Sequence, residues 1–189
     1  TIVAQFGALA AATMLFSIFA NLLVTPIIMT RIRLVGLYQI LSMSIDRKVL
    51  DGSPLLQNMS NYQRRKAILI SELHEFEKGE LLVEQDTIGR NMHLILSGEA
   101  EVIRRDGNES HSLAILKPGQ IFGEVGYIRE TERTANVVAT KKVSALRFDY
   151  ERMQKDLKFF PNIVAKLNCN ISYILGERLA DMVAKSKNK

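Results

Sequence analysis

The chain has 189 residues, 47% of them hydrophobic, with three histidines, one cysteine and a formal net charge of +5. That leaves room for one ordinary domain with its own core plus a short appendage, and it excludes a disordered chain. The single Cys169 excludes an intrachain disulfide or a cysteine-based zinc site, and His74, His93 and His111 are neither clustered nor at ligand spacing, so no metal or thiol chemistry is expected. The first thirty residues hold no Asp, Glu, Lys or Arg, so the basic balance belongs to the remainder and gives no sign of a nucleic-acid partner.

Residues 1–30 form an apolar run in which Ile2 to Met29 is long enough for a membrane-spanning helix, which needs roughly 20 residues. The run has no basic region before it and is about twice the length of a signal-peptide core, which argues for a span instead. It opens at Thr1 without a methionine, and the sequence is expected to be a piece of a longer polypeptide. Arg31 and Arg33 follow the run, and the positive-inside tendency places everything downstream in the cytoplasm, with the span in the cell (inner) membrane.

Residues 31–52 read as a juxtamembrane segment. Leu34, Leu37, Tyr38, Leu41 and Ile45 recur at helical spacing, and Asp51-Gly52-Ser53-Pro54 supplies turn residues at the expected boundary of a domain over 53–184. A short helix is expected next, capped by Ser60 or Asn61 and ending near Ser71. From Leu73 to Phe148 the pattern changes to short runs, 81–83, 92–96, 100–103, 113–116, 135–139 and 143–148. Lys78-Gly79, Ser97-Gly98, Asp106-Gly107 and Pro118-Gly119 punctuate them, which predicts an antiparallel barrel or jelly roll. Helical spacing returns after Tyr150. A last helix starts at Pro161 with a stripe of Val164, Leu167, Ile171, Leu175, Leu179 and Met182, and a basic tail over 185–189 closes the sequence. The stripe suits one globular core, and its spacing also admits pairing with a second copy of the chain.

The informative stretch runs from Gly119 to Ala139. Phe122-Gly123-Glu124, a gap of eight residues and Arg133-Thr134-Ala135 together resemble the phosphate-binding cassette of the cyclic-nucleotide-binding family. The flanking 76–80 and 95–99 segments and Pro118-Gly119 resemble the same family, so that the likeness covers roughly 130 residues, a domain's length. It implies a mainly β fold, an antiparallel β-roll with flanking helices after one transmembrane helix, and a regulatory ligand-binding role without catalysis. It also implies that cAMP or cGMP is the ligand.

Each cassette position has a physical reason. A cyclic phosphate is a compact monoanion, well held by the unpaired amides and positive dipole end at the start of a short helix. Gly123 lets the backbone come close, and Val125 lies in the same turn. The Arg133 guanidinium suits an exocyclic phosphate oxygen, and Thr134 and Ala135 continue the cradle. The Glu124 carboxylate can only accept hydrogen bonds, and in the family it takes one from the ribose 2'-hydroxyl. The plain structural alternative is that Glu124 and Arg133 form a partly buried ion pair closing a loop. The chain departs from the family pattern at Asp86, where a glycine is common, at Glu132, where a proline is common, and at His93, where an aromatic residue is usual. From the last helix, Leu167, Asn168, Ile171 and Tyr173 are candidates for contacting the base.

Phe19 to Met29, apolar and leading to a proline at the exit, resembles the final spanning helix of bacterial exporters of the resistance-nodulation-division superfamily, in its branch of large lipid exporters (MMPL-type). The expected whole is a transporter carrying a cyclic-nucleotide sensor. A cyclic-nucleotide-gated channel or a non-binding interaction module are the alternatives.

Overall fold

A computed structural model describes residues 2–31, 47–107 and 109–187, in two units, Thr1–Leu41 and Ser42–Lys189. In the first unit, helix α1 (Ile2–Arg31) is the one helix among the described residues long and apolar enough to cross a membrane, over Ile2–Ala20. The amphipathic helix expected between Arg33 and Ile45 lies outside the described residues.

The second unit begins with helix α2 (Arg47–Gly52), a 3-10 turn at Pro54–Leu56 and helix α3 (Asn61–Ile70). Asp51-Gly52-Ser53-Pro54, expected at the domain boundary, falls inside this unit. Asp51 pairs with Arg64 of α3, and the fully buried Ser53 donates its hydroxyl to the Gly119 carbonyl at 2.9 Å. α3 starts at a capping box, in which the Ser60 hydroxyl accepts from the Gln63 amide and the Gln63 side chain accepts from the Ser60 amide. Two orphan donors of the first turn are thereby satisfied, which is why the helix begins there.

Among the described residues eight strands follow: β1 (Glu72–Phe76), β2 (Leu81–Val83), β3 (Asn91–Ser97), β4 (Ala100–Asp106), β5 (Glu109–Leu116), β6 (Ile121–Phe122), β7 (Asn136–Ala139) and β8 (Val143–Asp149). They form two antiparallel four-stranded sheets, β1-β8-β3-β6 and β2-β7-β4-β5. Ile95, Phe122, Val143 and Ala145 of the first meet Val83, Ala100, Leu116, Val137 and Ala139 of the second in one core. This is the jelly roll expected from the alternating runs. The expected turn glycines Gly79, Gly98, Gly107 and Gly119 all adopt positive φ; at Gly98 a Cβ would fall 2.0 Å from the Lys142 carbonyl oxygen, which makes glycine obligatory there. Asp86 also sits at φ 63°, a left-handed turn that a short polar side chain tolerates.

Helix α4 (Glu124–Arg129) lies between β6 and β7, and helices α5 (Tyr150–Asp156) and α6 (Pro161–Lys187) close the chain, α6 taking in the tail as far as Lys187. The first half of α6 is core. Ile163, Leu167, Ile171 and Ile174 are buried, and the Asn170 amide donates to the Leu55 and Gln57 carbonyls at 2.8 Å each, seating the helix on the 3-10 turn. The second half departs from the expected stripe, for Leu179 and Met182 are about 60% exposed. Cys169 stands exposed on the first half.

Candidate ligand-binding site

β6 ends in Phe122, which pairs with His93 of the central strand β3 and stacks on its ring, centroids 4.9 Å apart. The chain then turns at Gly123, φ 77°, and enters α4. The amides of Glu124, Val125 and Gly126, as the first turn of a helix, have no intrahelical acceptor.

Arg133 reaches back into this turn and is only 6% exposed. Its Nη1 donates to the Gly123 carbonyl at 2.7 Å, and its Nη2 to the Asn91 carbonyl and side-chain oxygens at 2.7 and 2.8 Å. Backbone bonds hold the base of the side chain: the Arg133 amide donates to the Thr87 carbonyl, and the Asp86 amide donates to the Arg133 carbonyl, both at 2.9 Å. Burial presses its pKa down, Glu124 opposes that, and Arg147 adds to it; a guanidinium remains a cation throughout. A Cβ on Gly123 would fall 2.8 Å from Arg133 Nη1, and one on Gly126 2.6 Å from the same atom and 2.8 Å from the Gly89 carbonyl oxygen. Gly123 thus serves the approach of Arg133 to the backbone, beyond the approach of a ligand that the sequence implied.

Glu124 is 5% exposed and takes Arg178 of α6, not Arg133, as its ion-pair partner. Arg178 Nη1 donates to Glu124 Oε1 at 2.5 Å, and Nη2 to the Ile121 carbonyl at 2.6 Å. The loop-closing Glu124–Arg133 pair, the plain alternative, is therefore replaced by a pair that joins the turn to the last helix.

All seven residues expected at the site, Phe122, Gly123, Glu124, Val125, Arg133, Thr134 and Ala135, line one cavity of about 570 Å³. Its apolar side comes from Val83, Val102, Leu113, Ile115 and Leu116, and its α6 side from Arg178, Asp181 and Met182. The base-contact candidates are placed elsewhere. Leu167 and Ile171 are buried in the α6 core packing, Asn168 accepts from Ser172 through its carbonyl, and Tyr173 is 59% exposed. Among the described residues of α6, those that reach the cavity, Arg178, Asp181 and Met182, lie one to four turns further along the helix. Glu132 is exposed at the cavity rim.

His93 is buried, packed within β3. Burial is the main cause that lowers its pKa from 6.5 to about 3, with His74, Arg147 and Arg133 adding to it, so the ring is neutral at ordinary pH. Within α4, Tyr127 packs edge-on against Tyr150, and burial pushes its hydroxyl up to about 12.

A β-roll with a short helix at a glycine turn, and a buried arginine and a buried glutamate beside it, is an arrangement suited to a small anion. Residues 73–158 match the model of the cyclic nucleotide-binding domain family. It is 38% identical over 95 residues to the cAMP-dependent protein kinase regulatory subunit of Eremothecium gossypii, covering 50% of this chain and 20% of that one. It is 28% identical over 120 residues to the cyclic AMP receptor protein of Thermus thermophilus, covering 61% and 56%. Among solved structures, a cyclic nucleotide-binding domain from Methylobacillus flagellatus superposes with a TM-score of 0.66 at 21% identity, covering 73% of this chain and 78% of that one. The chain thus spans from a fifth to just over half of these curated relatives' lengths.

Proposed function

We propose that the second unit binds a cyclic nucleotide, cAMP or cGMP, in the cytoplasm, and through it regulates a membrane protein of which α1 is a spanning helix. The observation that carries this reading is the convergence of the Arg133 cation, the Glu124 acceptor and the start of α4 on one cavity. Its volume lies within the roughly 300–1,000 Å³ usual for small-molecule sites. Arg133 faces the phosphate together with the first amides of α4, Glu124 accepts from the ribose, and the apolar wall with Met182 takes the base. A carboxylate has about four acceptor positions, so Glu124 can keep Arg178 while receiving a hydroxyl.

The same pair offers a route outward. A ligand that changes the Glu124–Arg178 bond shifts α6, which rests on the 3-10 turn before α3 and next to α2. For this to be regulation, the ligand must bind two α6 positions with different affinity. The membrane protein we favour is an exporter of the resistance-nodulation-division type, on the strength of the 19–29 pattern.

Calorimetric titration of the chain in lipid nanodiscs with each nucleotide tests the site. Saturable heat that vanishes in Arg133→Ala is expected, and no heat with either nucleotide from folded protein overturns the reading. For regulation, export into vesicles is measured with nucleotide on the domain side, and an unchanged rate sinks the transporter part. A second reading, an interaction module that holds no nucleotide, is favoured by one observation: Glu124 already has a strong partner in Arg178.

A further inference from the structure

Away from the cavity, α3 and the connection between α5 and α6 bring aromatic and basic side chains together. The rings of Tyr62 and Phe160 meet edge-on at 6.1 Å, and Lys66 Nζ lies 5.8 Å and 5.1 Å over them. Phe159 is 84% exposed and Tyr62 55%. An aromatic ring left so open on a short connector calls for a partner, whereas an isolated exposed leucine does not.

The charge around these rings is one-sided. Residues 61–70 and 155–166 together hold six basic side chains and one acid, Asp156, which pairs with Arg152 at 3.6 Å. Arg64 is taken by Asp51, while Arg65, Lys155 and Lys158 are exposed. Cores of protein–protein interfaces are depleted in lysine, so a protein groove is a poor match for this mixture. A lipid surface is a good one. Tyrosine and other amphipathic rings settle at headgroup level, and each lysine or arginine near an anionic leaflet adds attraction. A tether to the bilayer would make such weak contacts sufficient by raising the local concentration.

We propose that the face formed by Tyr62, Lys66, Lys158 and Phe159 docks on an anionic lipid surface, with Phe159 entering the headgroup region. The inference rests on the reading of α1 as a span and is independent of nucleotide binding.

The chain contains no tryptophan, so Phe159→Trp supplies a sole indole at an exposed position that tolerates it. The full chain carrying it is placed in nanodiscs of phosphatidylcholine alone and of two parts phosphatidylcholine to one part phosphatidylglycerol. In the anionic discs, blue-shifted emission quenched by acyl-brominated lipid is expected; high salt should reverse it, as should the added pair Lys66→Glu and Lys158→Glu. Emission that is solvent-like in both discs overturns the proposal, and so does a blue shift that persists after the charge reversal, which would point to a protein contact. Flotation with vesicles in alkaline carbonate reads the span separately. A chain washed off sinks span and docking together, whereas a retained chain with composition-blind emission sinks the docking face alone.

Discussion

The two charged corners of the cavity are built differently. Arg133 is held by the domain itself, through three hydrogen bonds to Gly123 and Asn91 and two more along its backbone. Glu124 is held from outside the roll, by one side chain of α6 that is itself about a third exposed. The Arg133 corner is therefore set before any ligand arrives, and the Glu124 corner depends on where the last helix lies. A rigid corner gives affinity, and a corner shared with a separate element gives response.

Breaking the rigid corner has the largest effect. Arg133→Ala is expected to weaken nucleotide binding by roughly 10- to 150-fold, since a charge-assisted bond contributes roughly 1.5–3 kcal/mol; calorimetry reads it. Gly126→Ala comes next. Its Cβ collides with a guanidinium nitrogen and with the Gly89 backbone, and a loss of about 2 kcal/mol in thermal unfolding is expected, together with displaced Arg133.

His93, beside Phe122 under the same corner, makes stability acid-sensitive. Its folded pKa of about 3 lies below the ordinary 6.5, so between those values the unfolded chain binds a proton that the folded chain refuses. Stability is full above 6.5 and falls as pH drops through the window, by up to about 1.4 kcal/mol per unit. Denaturant melts at stepped pH should show this slope, and His93→Phe should flatten it. The smallest change in stability is expected at the responsive corner. Arg178→Gln should alter unfolding by about 1 kcal/mol or less, because the arginine is partly solvated, while amide exchange along α6 beyond Gly176 accelerates. If Arg178→Gln instead lowers stability as much as Gly126→Ala does, the contrast between the corners fails.

What the sequence shows of this site follows how local each part is. The cassette spans only fourteen residues, and spacing within one turn and one helix constrains them directly, so all seven expected residues share a cavity. The capping box at Ser60 and the turn glycines are legible for the same reason. Asn91 and Arg178 lie 42 and 45 residues from Arg133, and only the closed roll brings them near. Nothing in an asparagine at the start of a strand, or in an arginine near the end of a helix, signals that pairing. Gly126 did carry a signal, a second glycine three residues after Gly123 inside a helix. β1 and β6 were hard to see because one is mostly polar and the other has two residues. The α6 stripe is core only as far as Ile174, because helical spacing runs on where Leu179 and Met182 are no longer covered.

Cys169 gives the molecule a reporter of its own. It is the single thiol of the chain, it is exposed, and it sits on the helix whose far end grips Glu124. A maleimide dye or nitroxide placed there needs no engineered background, and its polarity or mobility would register the helix shifting when the cavity fills, in the native sequence and in real time.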